Sequence, residues 1–193
     1  MKLRYPPGAT PLSADDLEGI IPGHIATQGE LDAWEQQNIL EARSRLARRR
    51  PKELLRDDVI RHVHRLMFNR TWQWAGQYRH TDKNIGVDWA LIPERVRVLC
   101  DDARYQREQR IYPADEFGAR FHHRLVAIHP FPNGNGRHAR LITDLLMESL
   151  GEPPFSWGSA SLNEAGNVRT DYLQALRAAD KNDYALLLRF VRS

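Results

Sequence analysis

Two runs with apolar residues at helical spacing, 114–128 and 137–150, are separated by only eight residues, and those eight hold two prolines, two asparagines and two glycines. Phe117, Phe121, Leu125 and Val126 mark the inward side of the first run, and Leu141, Ile142, Leu145, Leu146 and Leu150 that of the second. A chain written this way joins two packed helices through one glycine-rich loop, whose glycines free the backbone for positive φ. Gly151 and the Pro153–Pro154 pair stop the second helix.

The same punctuation runs through the rest of the chain. Ser13 can cap a short helix over 13–19, with aspartates in its first turn and Gly19 at its end. Thr27 and Glu30 have capping-box spacing and open a helix to about Arg49, with Leu31, Trp34, Ile39, Leu40 and Leu46 inward. Pro51 stops it, and a helix over roughly 53–69 follows, with Leu54, Leu55, Val59, Ile60, Val63 and Met67 on its apolar side. Turn residues and strand formers gather in 71–93, which predicts a short β-hairpin turning near Asp82–Asn84. Pro93 precedes another helix, and a final helix pair covers about 165–192. The predicted class is mainly α, a helical bundle with one small β-hairpin.

Bulk properties narrow the function. The 193 residues suit one domain with a small appendage, and no apolar run approaches a bilayer span. The basic start MKLRYPPGATPLS has no apolar core behind it, so no secretory leader is expected. A single cysteine, Cys100, excludes a disulfide framework and fits a reducing, cytoplasmic setting. Net charge is +3, and although residues 43–56 carry seven basic side chains, no aromatics interleave with them to stack on bases. Nucleic acid is therefore not an expected partner, nor is a membrane.

The central loop, HPFPNGNGRHAR (129–140), carries the chemistry. The N–H groups from Asn133 to Arg137 can converge at the start of the following helix, which is an anion site of the kind that holds phosphate. Arg137 and Arg140 are three apart and share one helix face, so two guanidinium forks can grip a di- or triphosphate there. His129, at the end of the preceding helix, titrates near neutrality and can take a proton from an incoming hydroxyl. The loop is not a P-loop, since the lysine and hydroxyl of that motif are absent. His122 and His123 are adjacent and point to different sides, so they do not make a metal pair, and His138 is expected to be exposed.

This segment resembles the signature of the Fic family, His-x-Phe-x-(Asp/Glu)-Gly-Asn-Gly-Arg-x-x-Arg, through His129, Phe131, Gly134, Asn135, Gly136, Arg137 and Arg140. WQWAGQYR (72–79) resembles the family's Trp-Ala-Gly-x-(Phe/Tyr)-Arg stretch, NIGV with LIP its flap, and 169–190 its closing helices. The resemblance implies a Fic domain over 27–193 behind an N-terminal arm, 1–26. Within the family the chain is similar to the short bacterial group labelled mobile mystery protein B. The implied activity is transfer of AMP from ATP to a Ser, Thr or Tyr hydroxyl of a target protein. By resemblance His129 is the general base, Phe131 the core anchor, and Gly134, Asn135 and Gly136 the anion hole. Arg137 holds the phosphates and offsets charge on departing pyrophosphate, and Arg140 grips the γ-phosphate. The flap around Ile85, Gly86 and Val87 aligns the target segment by strand-like pairing. Arg169 and Tyr172 are candidates for the nucleoside end of the pocket, with helix packing the favoured role for each.

Two departures stand out. Asn133 occupies the family's acidic position, whose carboxylate holds Mg²⁺ against the phosphates. An amide brings no charge, so Mg²⁺ dependence is expected to weaken. A nucleotide-binding regulator with little activity, or a transferase of another phosphate-containing group, stays open beside the AMP transferase. Many relatives are also held off by a helix bearing Ser/Thr-x-x-x-Glu-Gly/Asn. Here Glu18–Gly19 resembles its end, but Ser13 lies five residues before Glu18. Glu18 is thus a candidate inhibitory residue on an off-register motif.

Overall fold

A computed structural model describes residues 10–158 and 167–193. Its α-helices are α1 (Ala14–Glu18), α2 (Gln28–Arg48), α3 (Asp57–Phe68), α4 (Ile92–Glu108), α5 (Ala114–Ile128), α6 (Asn135–Ser149), α7 (Asn167–Ala179) and α8 (Ala185–Val191), with a 3-10 turn over Trp89–Leu91. Ser13 caps α1 and, with Asp16, completes a capping box not expected from the sequence; the expected box of Thr27 with Glu30 also forms.

Helix α5 has the bounds its periodicity predicts. Helix α6 starts at Asn135, two residues before the expected start, which puts Gly136 and Arg137 in its first turn. Helix α3 starts at Asp57, later than expected, because Leu54 and Leu55 are buried in the preceding loop and Asp57–Asp58 supply the acidic first turn. Leu40, expected inward on α2, is exposed; the buried stripe runs instead through Leu31, Glu35, Asn38, Ile39, Ala42 and Leu46. His138 is also a correction. It is fully buried, and its Nε2 meets the Ile60 carbonyl at 2.9 Å, tying α6 to α3.

Helices α5 and α6 pack together at the centre, with α4 and α3 beside them and α2 against α3. One apolar cluster fills the space among α2–α6. A second, around Met147, Phe155, Trp157, Tyr172, Leu176 and Phe190, binds α7 and α8 to the far side of α5 and α6. The segment before α2 packs on the first cluster through Leu12, Leu17, Ile20 and Ile25.

The expected hairpin over 71–93 is not present; among the described residues the only ladder pairing is one isolated bridge, Ile20 with Trp72. The backbone hydrogen bonds of this segment go elsewhere. Arg79 N donates to the Pro130 carbonyl at 3.0 Å, and Val87 N to the Ile128 carbonyl at 3.3 Å. The buried Arg79 side chain spans the gap, donating from Nε to the His129 carbonyl at 2.8 Å, from Nη1 to Thr81 at 2.9 Å, and from Nη2 to the Val87 carbonyl. One guanidinium thus does the joining that a strand ladder would have done, and it fixes the flap to the end of α5.

Candidate active site

Helix α5 ends at His129, whose φ of 54° and ψ of 59° are left-handed. That turn reverses the chain into the loop. Phe131 anchors it, fully buried and stacked on His64 at 3.7 Å between ring centres. The Asn135 side chain closes the loop on itself: its Oδ1 accepts from Phe131 N at 2.9 Å and its Nδ2 donates to the Phe131 carbonyl at 2.8 Å. Asn135 therefore shapes the loop with its side chain and leaves only its backbone N–H for an anion. His64 supports the same loop from α3. It accepts from Gly76 N at Nδ1, 3.0 Å, which sets the other nitrogen, Nε2, as donor to the Asn133 carbonyl at 3.1 Å.

Gly134 precedes α6 with φ 76°. A Cβ there would lie 2.5 Å from Phe68 Cζ, so both backbone angle and space demand glycine. Helix α6 has no side-chain cap, which leaves the first-turn N–H groups of Asn135, Gly136 and Arg137 for an outside acceptor. A Cβ on Gly136 would meet nothing nearer than Arg140 Nη1 at 3.8 Å, so the approach to these groups is open.

The two arginines follow. Arg137 Nη1 pairs with Glu35 Oε2 at 2.7 Å, and its Nη2 reaches the Asn133 amide oxygen at 3.3 Å. Glu35 is itself buried and accepts from Trp72 Nε1 at 2.6 Å. Burial pushes the Arg140 guanidinium pKa down, and the nearby Tyr172 hydroxyl works the other way. Arg140 and Arg137 line a cavity of about 150 Å³ together with Arg43, Gln36, Asp144 and Trp157. Burial raises the Asp144 carboxyl to about 6, against hydrogen bonds from Trp157 and Phe155. Three guanidinium groups around a cavity of that size suit the phosphate end of a ligand rather than a whole nucleotide, which needs roughly 300 Å³ or more.

On the other side, His129 is buried under Gly86, where an added Cβ would lie 2.8 Å from His129 Cβ. Its Nε2 is 2.9 Å from the Thr10 hydroxyl. Burial first, then the Arg79 charge, lowers its pKa to about 4; the Val126 carbonyl pulls weakly the other way without reaching hydrogen-bond geometry at Nδ1. The ring is therefore neutral at pH 7, with Nε2 free to accept a proton in the tautomer that carries hydrogen on Nδ1.

Residues 54–147 match the family model described as the Fic/DOC family. The chain carries a Fic domain. Among curated relatives, protein adenylyltransferase fic-1 of Caenorhabditis briggsae is 30% identical over 142 residues, covering 72% of this chain and 27% of that protein. Protein adenylyltransferase Fic of Nematostella vectensis is 30% identical over 138 residues, covering 70% and 31%. The chain thus spans less than a third of either relative. Fic-1 of Caenorhabditis elegans superposes with a TM-score of 0.65 at 25% identity, covering 91% of this chain and 51% of that one. BepC of Bartonella tribocorum, solved with bound AMPPNP, gives 0.70 at 14% identity, covering 93% and 96%. The mainly helical Fic fold expected from the sequence is the one found.

The structure brings the motif residues together around the loop, beside several neighbours that were not read from the sequence. Arg79, Glu35, His64 and Arg43 all build the site. Glu35 left a faint signal, a carboxylate four residues after Leu31 on an apolar stripe. Glu18 stands exposed at the end of α1, and the carboxylate on Arg137 is Glu35. Tyr172 is buried, with its hydroxyl 2.9 Å from His122 Nε2 and its ring beside Arg140, and Arg169 lies near it, its guanidinium pKa lowered by burial. His123 pairs with Asp180. In the flap, Ile85 is exposed and Val87 packs against the core.

The donor set does not fit a protein-held Mg²⁺. The Asn133 amide oxygen already accepts from Gly134 N at 2.6 Å and faces the Arg137 cation, and Glu35 is committed to that cation. Among the described residues no cluster of three His, Cys, Asp or Glu has the arrangement of a metal site. No helix among them is long and apolar enough to cross a membrane.

Proposed function

We propose that this Fic domain transfers AMP from ATP to a Ser, Thr or Tyr hydroxyl of a target protein. The observation that carries the reading is that one loop sets a neutral histidine at one end and an uncapped helix start with Arg137 and Arg140 at the other. His129 Nε2 takes the proton of the acceptor hydroxyl, whose oxygen then attacks the α-phosphorus. The bond to pyrophosphate breaks with its electron pair on the leaving group. The N–H groups of the α6 start hold the phosphates, Arg137 offsets charge on the departing pyrophosphate, and Arg140 grips the far phosphate through forked hydrogen bonds. Arg43, on the same cavity, extends that grip. The target segment lies along the flap at Ile85, Gly86 and Val87, where the exposed Ile85 and Trp89 offer it apolar contact.

Cations reach this site with the nucleotide's own phosphates, so dependence on Mg²⁺ is weaker than a carboxylate at position 133 would give. As an intramolecular brake this reading assigns Glu35, whose ion pair with Arg137 competes with an incoming phosphate for that guanidinium. A cytosolic setting agrees with the lone, buried Cys100. That same Glu35–Arg137 pair, with Asn133, favours a second reading: a nucleotide-binding regulator without transfer.

The deciding measurement is incubation with lysate and ATP labelled at the α-phosphate. Label on protein that disappears in His129→Ala supports AMP transfer. Label arriving only from γ-labelled ATP indicates phosphoryl transfer, and nucleotide binding without any His129-dependent label favours the regulator.

A further inference from the structure

A hydroxyl of the chain itself already sits on the base. Thr10 Oγ1 is 2.9 Å from His129 Nε2, and both side chains are buried, 7% and 6% exposed. The Asn133 amide nitrogen reaches the Thr10 carbonyl at 3.5 Å, so the same arm residue touches both the base and the loop that leads into α6. The arm is fastened just beyond this point. Leu12 packs on the main cluster, Ser13 caps α1, and Asp16 is held by Lys83 of the flap and, through its carbonyl, by Trp74 Nε1 at 3.0 Å. Gly19 and Ile21 then hydrogen-bond to Gln73 and Thr71. The arm therefore lies between flap and motif loop, in the place a target segment needs, and presents the functional group that a target must present.

A surface threonine meets a histidine often enough to mean little. Here neither group faces water, the pair is 119 residues apart in sequence, and the hydroxyl's partner is the one nitrogen the reaction uses. We propose that Thr10 is a self-modification site: the domain adenylylates its own Thr10 hydroxyl in cis. The proposal rests on the AMP-transfer reading above. The Thr10 Oγ1–H proton passes to His129 Nε2, and Oγ1 forms a bond to the α-phosphorus of ATP. The bond from that phosphorus to the β-phosphate oxygen breaks, its electron pair leaving on pyrophosphate, and His129 later releases the proton to solvent. The products are Thr10-O-AMP and pyrophosphate. A consequence follows for foreign targets, which must displace the arm before their hydroxyl reaches the base.

The test is intact-protein and peptide mass spectrometry of the full chain incubated with ATP, beside α-labelled ATP and lysate. One adenylyl group on Thr10 is expected, gained at a rate per molecule that does not change with protein concentration. It should be lost in Thr10→Ala and in His129→Ala and kept in Thr10→Ser. In a mixture of the Thr10→Ala and His129→Ala chains, Thr10 should stay unmodified. Adenylyl on Thr10 in that mixture would overturn the in-cis assignment. His129-dependent label on lysate proteins, with Thr10 never modified, would overturn self-modification and leave the transfer reading standing. Absence of His129-dependent label on any protein would overturn both.

Discussion

The two ends of the site are built in opposite ways. Around His129 the chain closes in: Gly86 packs against its Cβ, Arg79 holds its carbonyl, and Thr10 occupies Nε2. Around the α6 start the chain opens: the helix is uncapped, Gly136 has free space beside it, and three arginines border a cavity. On the function proposed above, the difference teaches that the acceptor end is preorganised by burial, while the open end holds cationic potential for an anionic ligand. Burial keeps the histidine neutral and usable, and cation density keeps the far end anion-seeking.

Removing the base should break the comparison most completely. His129→Ala is expected to lower adenylyl transfer by about 100- to 10,000-fold, the usual worth of a general base, with nucleotide binding changed far less. Fluorescent-nucleotide titration beside the labelling assay separates the two ends. Arg140→Ala should act the other way round, weakening nucleotide binding by roughly 10- to 100-fold through loss of charge-assisted hydrogen bonds worth about 1.5–3 kcal/mol. Unchanged affinity would show that the open end does not take the phosphates.

A pair of glycine variants sharpens the boundary between the two. Gly134→Ala must place a methyl against Phe68 at a φ of 76°, so thermal unfolding should show a loss of about 1–3 kcal/mol from backbone strain alone. Gly136→Ala, with open space around it, should leave the melting temperature nearly unchanged and affect only ligand approach.

The most gradual effect is that of pH. Burial lowers His129 and His138 to about 4 and His122 to about 3, all below the ordinary value of 6.5. The unfolded chain binds these protons first, so their contribution to stability is complete above pH 6.5 and is lost as pH falls toward 4. Denaturant midpoints measured between pH 7 and 4 should fall accordingly. The transfer rate should lose its base only near pH 4, so an acid limb centred near 6.5 would show that His129 is not held neutral by burial.

Much of this was legible beforehand, for identifiable reasons. The bounds of α5, the Ser13 cap, the Thr27–Glu30 capping box and the glycine-rich turn between α5 and α6 follow from short-range rules: apolar spacing, cap residues and glycine freedom. The hairpin over 71–93 was misread because strand formers and turn residues say nothing about a competing donor, and Arg79 from the same stretch took the carbonyls. His138 was placed on the surface because a polar residue between two arginines reads as solvated, whereas the Ile60 carbonyl made burial affordable by accepting its Nε2–H. Leu40 failed for a related reason, since Glu35 and Asn38 took inward positions once Trp72, Arg137 and Arg70 supplied partners.

By itself, then, the sequence determined a helical chain, a glycine-rich loop between two helices, a histidine at one end of that loop and two arginines on one helix face at the other. Those are properties of neighbours along the chain, set by backbone freedom and helical repeat. The tertiary structure alone decided that Glu35 holds Arg137, that Arg79 ties the flap to the base, and that Thr10 rests on His129. Each of these joins groups at least 50 residues apart through a buried or part-buried polar contact, and such contacts form only where folding has removed water and brought distant partners together.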